Sequence, residues 1–503
     1  MNCASLDLPF RSICHANTGE TMLTAGRSAA LIAAVTAATC TLLLAGSGQA
    51  VTVTAGTWHA AREAPGTGTL NKGGQAQVQS LSCASAGNCT AGGYYTNGSG
   101  HHQVFLAREA SGSWQTAFEV PGSFTLNAGG NAQIYSVSCA TGGNCSAGGY
   151  YTNASGHTQP FVASEASGSW HRAQKVPGTG SLNAGGNGEV NSVSCPTMNN
   201  CSAGGYYRDG LGRHQAFVAS EVNGSWQPAI EVPGTAARSA GGGAVIQSVS
   251  CASPGNCSAG GQYVDGSGAG QAFVVSQVNG RWQPAIEVPG TAALNQGGAW
   301  IVSVSCASAG NCSAGGTYGD GVVSGVATRQ VFVVNQVAGS WQTAREVPGI
   351  AALNTAGGAD MYSVSCASAG NCSAVGSYFT GRIQAFVASE VKGVWQAAAE
   401  VPGTAALNQG RTAYATSVSC PSAGNCSAGG TYTDSSGHMQ AFVASEVSGS
   451  WQPAIEVPGT AALNPGGQAF VQSVSCAAAG KCTAGGGYTN GSGHRQAFVA
   501  GQS

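Results

Sequence analysis

The chain has 503 residues, with 18 Lys and Arg against 20 Asp and Glu and a formal net charge of -2. Charged residues make up only 8% of it, which excludes the basic face that nucleic-acid binding requires. Gly numbers 79 and Pro 17, but they recur at fixed turn positions among periodic Trp, Tyr and Phe, the mark of strands and turns rather than of a disordered chain.

Taken in chain order, residues 1–21 are mostly polar and precede Met22. Arg27, a largely apolar run from Ala29 to Gly46 and the small-residue site Gly48-Gln49-Ala50 then follow the pattern of a secretory signal. Residues 1–50 are therefore expected to be a leader cut after Ala50, with no stable membrane span left in the mature chain. An uncleaved anchor is the alternative, since the run approaches the length of a span. Cys40 lies inside the apolar run and is read as incidental.

From residue 51 onward one unit of about 56 residues recurs eight times. Its seam is S-x-S-C-x5-C, at Cys83/Cys89, Cys139/Cys145, Cys195/Cys201, Cys251/Cys257, Cys306/Cys312, Cys366/Cys372, Cys420/Cys426 and Cys476/Cys482. Of 19 cysteines, the other three, Cys3, Cys14 and Cys40, fall in the leader. An even, regularly spaced set in an exported chain predicts disulfides. Facing residues of an antiparallel pair lie about 4.5 Å apart at Cα, within reach of a bridge across a five-residue turn. Each short loop so closed should add about 2 kcal/mol. Zinc would need four ligands, and each unit offers two thiols without a neighbouring His.

The last unit predicts four strands. The first runs from Ala469 to Cys476 and the second from Cys482 to Tyr488; the loop Asn490–His494 leads to the third at Gln496–Ala500. In the unit before, Ser448-Gly449 turns the chain into a fourth strand, Trp451–Val457, ended by Pro458-Gly459. Trp begins strand four, Tyr ends strand two and Phe sits in strand three of every copy, so these rings are expected in the core. The last unit stops after strand three, whereas Thr57 to Gly66 reads as strand four alone. The expected fold is all-β: residues 51–503 as a single eight-bladed β-propeller, four antiparallel strands per blade, closed by the N-terminal strand.

With its S-V-S-C…N-C-x-A-x-G units, the chain over residues 57–503 resembles secreted bacterial β-propeller repeat proteins, distantly sialidase-like. The resemblance implies fold and export. Ser220-Glu-Val-Asn-Gly-Ser-Trp226 lacks the Asp of a sialidase Asp box, so no catalytic residue is carried over.

In a symmetric ring a site shows itself where the symmetry breaks. The positions four and six residues before the first cysteine vary most, and strand one should line the channel. They hold Gln77, Gln79, Gln133, Tyr135, Glu189, Asn191, Trp300, Asp360, Tyr362, Tyr414, Phe470 and Gln472. Of these, Trp300, Tyr414, Tyr362, Asp360, Glu189 and Tyr135 are the candidate ligand-binding set, aromatic and polar groups able to stack on and hydrogen-bond a sugar. Glu189 and Asp360 are the only acids there, in units three and six, and are the one candidate carboxylate pair for glycoside chemistry. The repeated acids Glu221 and Glu231 read as solvated or turn-bonded. The loop histidines His101, His102, His157, His214, His438 and His494 sit on separate units and are not expected to share a metal. The Gly strings near Asn71 and Asn127 open no helix and precede no Lys-Ser/Thr, so they are not phosphate loops. Gly98-Ser99-Gly100 reads as a hairpin turn rather than a nucleophile elbow. The loop from Gly319 to Gln330 is longer than its counterparts and marks a local asymmetry.

The reading favoured is a secreted, non-catalytic protein, monomeric and without cofactor or metal, binding a carbohydrate or a surface protein at the channel mouth. A glycan-active enzyme and a structural envelope protein are the alternatives.

Overall fold

The computed structural model describes residues 56–323 and 326–503. The leader, its cleavage site and the anchor alternative lie outside the described residues. Among the described residues no helix is long and apolar enough to cross a membrane.

Eight four-stranded antiparallel units follow one another. In the third, the inner strand Gly188–Thr197 pairs with Asn200–Arg208, which pairs with His214–Val222. The outer strand comes in two pieces, Ser225–Trp226 and Ile230–Glu231. This corrects the expectation of one continuous fourth strand. Pro228, which has no N–H for a ladder, sits in the break. Each inner strand contacts those of the repeats before and after it, and the eighth contacts the first. In the eighth repeat the outer position is filled from the N-terminal side of the chain. Arg62–Glu63 pairs antiparallel with Arg495–Gly501, and Trp58 bridges Gln502. Tyr488 donates to Glu63 at 3.2 Å, as Tyr207 does to Glu231 within the third repeat at 2.7 Å.

All eight expected disulfides are formed, Cys83–Cys89, Cys139–Cys145, Cys195–Cys201, Cys251–Cys257, Cys306–Cys312, Cys366–Cys372, Cys420–Cys426 and Cys476–Cys482, with Cα–Cα distances of 3.9–4.1 Å. The turn they close is tighter than the five-residue loop expected. The inner strand runs past its cysteine to Ser85, which faces Asn88, so only Ala86 and Gly87 make the turn. Gly87 takes a φ of 70°, open to glycine at no steric cost, and Asn88 ties Ser85 and the Ala86 carbonyl together.

The second cysteine also departs from expectation. Strand two does not begin at it but one residue earlier, at Asn88 before Cys89 and at Lys481 before Cys482. Nor is its role confined to its own hairpin. Cys89, Cys145, Cys201, Cys257, Cys312, Cys372, Cys426 and Cys482 are buried, at 3–5% exposure. Each sulfur meets a Ser or Thr hydroxyl of the preceding repeat, from Thr483 at Cys89 to Ser427 at Cys482, within 3.2–3.5 Å. A bridged sulfur carries no hydrogen, so the hydroxyl is the donor. The bridge thus staples its own turn and also packs against the neighbour.

The serines of S-x-S-C have a structural task. An inner strand is a sheet edge, and its outward backbone donors have no strand partner. Ser80 and Ser82 accept hydrogen bonds from the backbone N–H of Val137 and Cys139 in the next repeat, at 2.9 and 3.0 Å. The same two bonds recur at every interface within 2.9–3.3 Å, and from Ser473 and Ser475 of the last repeat they reach Leu81 and Cys83 of the first. At about 1 kcal/mol each, they form a continuous inner belt.

The two small residues of A-G-G are both steric requirements. A Cβ on Gly204 would meet Ile246 of the next repeat at 2.6 Å, so the first glycine admits the neighbour's branched side chain. The sixth repeat has Val375 there instead, and the residue facing it in the seventh is Ala415 where other repeats carry Ile, Val or Met. One enlarged side chain is matched by one reduced. We predict that Ala415→Ile alone destabilises by about 1–3 kcal/mol through overpacking, and that Val375→Gly added to it restores most of the loss. Chemical denaturation of the two single variants and the double measures it; additive losses would contradict this packing.

The series Glu109, Glu165, Glu221, Glu390 and Glu446 is buried, at 2–9% exposure, against the expectation that Glu221 is solvated. Each faces the series Trp across the strand pair, and Glu221 accepts from Ser164 and Ser146 of the preceding repeat at 2.8 and 3.4 Å. Gln277, Gln336 and Gln502 fill the same place elsewhere and donate to the corresponding serines. Phe is fully buried in every repeat, whereas Trp114, Trp170, Trp341, Trp395 and Trp451 are half-buried at the rim.

Burial raises the pKa of all five glutamates above the ordinary 4.5, partly opposed by Arg62 at Glu109 and by Arg108 at Glu165. A raised carboxyl favours the folded state as pH falls through its folded pKa, and that gain is complete below the unfolded value. Asp265, held at about 2 by hydrogen bonds from Ser267 and Gln271, works oppositely but only in stronger acid. We therefore predict a melting temperature that rises as pH falls from neutral toward the ordinary carboxylate range, with Glu446→Gln raising it at neutral pH and flattening the slope in calorimetric scans.

Candidate functional site

The inner strand changes phase before its serines. In the first repeat Ala76 and Val78 are buried two apart, but the next buried apolar residue is Leu81, three further on. The extra residue is a bulge: Val78 pairs with Gly93 and Ser80 with Gly92, leaving Gln79 unpaired. The same shift occurs in all eight repeats. It turns the positions four and six before the cysteine, the variable pair, away from the packed face. Bulges re-aim side chains in this way next to sites.

The second glycine of A-G-G makes room for the bulge. A Cβ on Gly205 would lie 1.9 Å from the carbonyl oxygen of Glu189, and the seven equivalents fall within 1.8–2.2 Å of theirs. The backbone, not the side chain, of the variable residue is therefore gripped.

The six candidate residues fall into two groups. Trp300, Asp360, Tyr362 and Tyr414 come from three consecutive repeats. Tyr362 and Tyr414 meet edge to face at 6.2 Å. Asp360 accepts from Arg329 at 2.8 Å. Burial raises the Asp360 pKa, opposed by Arg329, and burial beside Asp360 pushes the Tyr414 hydroxyl up to about 12. Trp300 is half-exposed on the neighbouring inner strand, opposite Thr317, whose hydroxyl accepts from the Met361 N–H at 3.1 Å.

Tyr135 and Glu189 form the second group, in repeats two and three. Glu189 faces Tyr206 in register, with the hydroxyls of Tyr206 and Tyr135 beside its carboxyl group. Burial raises the Glu189 pKa, opposed by those two hydroxyls. Tyr135 packs on Tyr150 with ring centres 5.6 Å apart, and Tyr150 donates to Asn131 at 3.1 Å. Burial, then Glu189, pushes the Tyr150 hydroxyl up to about 12. Glu189 and Asp360 each have their own partners, so they do not act on each other as an acid pair would.

Between the groups, Arg495 stacks over Phe470 at 5.7 Å and donates to Gln77 at 3.2 Å. Gln77 donates to Gln79 at 2.9 Å, and Gln79 to Gln133 at 3.3 Å. Two further variable positions thus reach the mouth that the inner-strand reading did not include. One is the second-strand residue opposite the site, Tyr94, Tyr150 and Tyr206 in the first three repeats and Gln, Thr, Ser or Gly later. The other begins strand three, where Arg329 and Arg495 stand. The long loop before Arg329 is an extended hairpin, strands Asn311–Val323 and Val326–Val337.

The loop histidines pack between repeats. A Cβ on Gly74 would come within 2.8 Å of the His494 ring, and Gly130, Gly186 and Gly467 stand likewise beside His101, His157 and His438. His102 and His214 lie on Tyr94 and Tyr206, at 5.0 and 4.6 Å between ring centres. Among the described residues no cluster of three metal-ligating side chains occurs.

No known protein family matches the chain, and no curated protein sequence does. Among solved structures it is similar to the BP39L lectin from Burkholderia pseudomallei, at 14% identity over 76% of this chain and 99% of that one, TM-score 0.41. A polysaccharide lyase of the PL25 ulvan lyase family is similar at 10% identity over 84% and 93%, TM-score 0.41. The Hadza microbial sialidase Hz136 is similar at 10% identity over 88% and 68%, TM-score 0.33. Likenesses of this size concern strand layout and say nothing of ligand or chemistry. No sequence family stands behind the motif resemblance.

Gly205→Ala, directly beneath Glu189, is predicted to destabilise by about 1–3 kcal/mol, whereas Gly210→Ala at the hairpin tip, where a Cβ would find only Ala184 at 3.7 Å, leaves the melting temperature nearly unchanged.

Proposed function

We propose that the protein is a secreted, non-catalytic propeller that binds a carbohydrate at the mouth of its channel. The observation that carries this reading is the contrast within the repeat. Sixteen cysteines and every core aromatic series recur, while the bulge-borne positions and the strand-two and strand-three positions beside them carry a set of rings, amides and charges that does not. A frame kept constant around a varied concave surface is the arrangement of a binding module. Trp300, Tyr362 and Tyr414 supply faces on which a sugar ring stacks, and Asp360, Arg329, Gln79 and Gln133 supply hydrogen bonds that fix its orientation, with the buried Gln77 holding Gln79 in place. The eight disulfides fit an oxidising compartment outside the cytosol. Asp360 is engaged by Arg329 and is not a free acid, which favours binding over glycoside cleavage.

The test is a glycan array followed by titration calorimetry on the best ligand, with Trp300→Ala and Tyr414→Ala. Each substitution is expected to weaken binding about tenfold or more, which is about 1.4 kcal/mol, with the fold intact by circular dichroism. Unchanged affinity in both variants would reject the mouth as the site. Release of reducing ends from the bound glycan would favour the enzyme reading instead.

A further inference from the structure

Glu189 and Asp360 are the two acids among the bulge-borne positions. The described ion pairs are Arg108–Glu165, Arg213–Asp209 and Arg329–Asp360, and none includes Glu189. Its register partner is Tyr206, and the phenols of Tyr206 and Tyr135 lie beside its carboxyl group. Tyr150 completes the wall by packing on Tyr135. Glu189 is half-buried rather than sealed like the glutamates of the Trp series, so a ligand can reach it. Seven glutamates elsewhere accept from a series Tyr on the outer strands, but a carboxylate on the inner strand at the mouth presents its unmatched charge to a ligand, and such a charge is compensated best by an opposite one. The faces of tyrosine rings attract cations as well.

We propose that Glu189, walled by Tyr135, Tyr150 and Tyr206, is a subsite for a protonated amine, and that the sugar bound at the mouth is therefore an amino sugar with a free ammonium group. This deepens the carbohydrate reading above and rests on it for the sugar. The contrast with Asp360 sharpens it. Asp360 already has Arg329 at 2.8 Å and offers a ligand no unmatched charge. The two groups then divide the work, with the Trp300 arc stacking on sugar rings and the Glu189 wall selecting the amine. An N-acetylated sugar has a neutral amide in place of the ammonium. It forfeits the ion pair, keeps one N–H donor in place of the ammonium's three and has to fit an acetyl group against the tyrosine wall.

The experiment compares glucosamine oligomers with their fully N-acetylated counterparts by calorimetry at about pH 6, where the amine is protonated. The wild-type protein is expected to favour the free-amine oligomer at least tenfold. Glu189→Gln, which is nearly isosteric, should erase that preference, and Tyr206→Phe, which keeps the ring, should retain it. Trp300→Ala should weaken both oligomers together and leave their ratio unchanged. Equal binding of the two oligomers, preference for the acetylated one, or binding of neither would overturn the amine subsite. In each of those cases the array result for other glycans, with its Trp300 and Tyr414 dependence, still decides the broader reading.

Discussion

Everything in this structure depends on how a sheet edge is treated at the centre of the ring. Eight inner strands stand side by side, each with backbone donors facing a neighbour rather than a ladder. Two serines per repeat accept from those donors. Because the acceptors belong to one repeat and the donors to the next, no repeat satisfies its inner edge alone. The cysteine that follows both donates its backbone N–H to a serine of the preceding repeat and forms one half of a disulfide, so the bridge fixes the strand end that the belt must hold. Its partner sulfur faces a hydroxyl of the preceding repeat, as Cys145 does Thr90, which ties the second strand into the same interface.

The bulge follows from the same constraint. The serines must point to the neighbouring repeat while Val78 and Leu81 point into the packed face. One extra residue reconciles the two, and the glycine opposite yields space for the displaced carbonyl. The buried glutamates form a second tier further out, where hydroxyls and indoles of adjacent repeats meet; Trp226, for example, donates to Ser164 at 3.0 Å. Gln at three of the eight places shows that the neutral form suffices there, in keeping with the raised pKa of the acids.

Features repeated eight times were legible from the residues. The strand count, the disulfide pairs and the buried Phe and Tyr series all rest on recurrence. The bulge was equally written in the apolar spacing, two and then three, of Ala469, Val471 and Val474, but a strand read with a period of two passes over it. The burial of Glu221 was not legible. Beside a turn it looks solvated, and only the preceding repeat covers it. The same holds for the hydroxyl contacts of the second cysteines, since spacing within one unit says nothing of the unit beside it. The variable pair on the inner strand could be found because inner strands are recognisable by their cysteines. Arg329 and Tyr206 were missed because they reach the mouth from strands whose other residues serve the core, and their variation beside a recurrent Gln or Tyr was the available signal.

The grip on the variable positions is exerted through main-chain atoms and a glycine on the neighbouring strand, and only some side chains there, such as Asn191 and Thr416 on the carbonyls of Ile246 and Val471, join one repeat to the next. Away from such joints the surface can be relettered one address at a time, with each change felt by the ligand before it is felt by the scaffold. Natural drift and laboratory libraries confined to those addresses would therefore sample new specificities on an unaltered chassis.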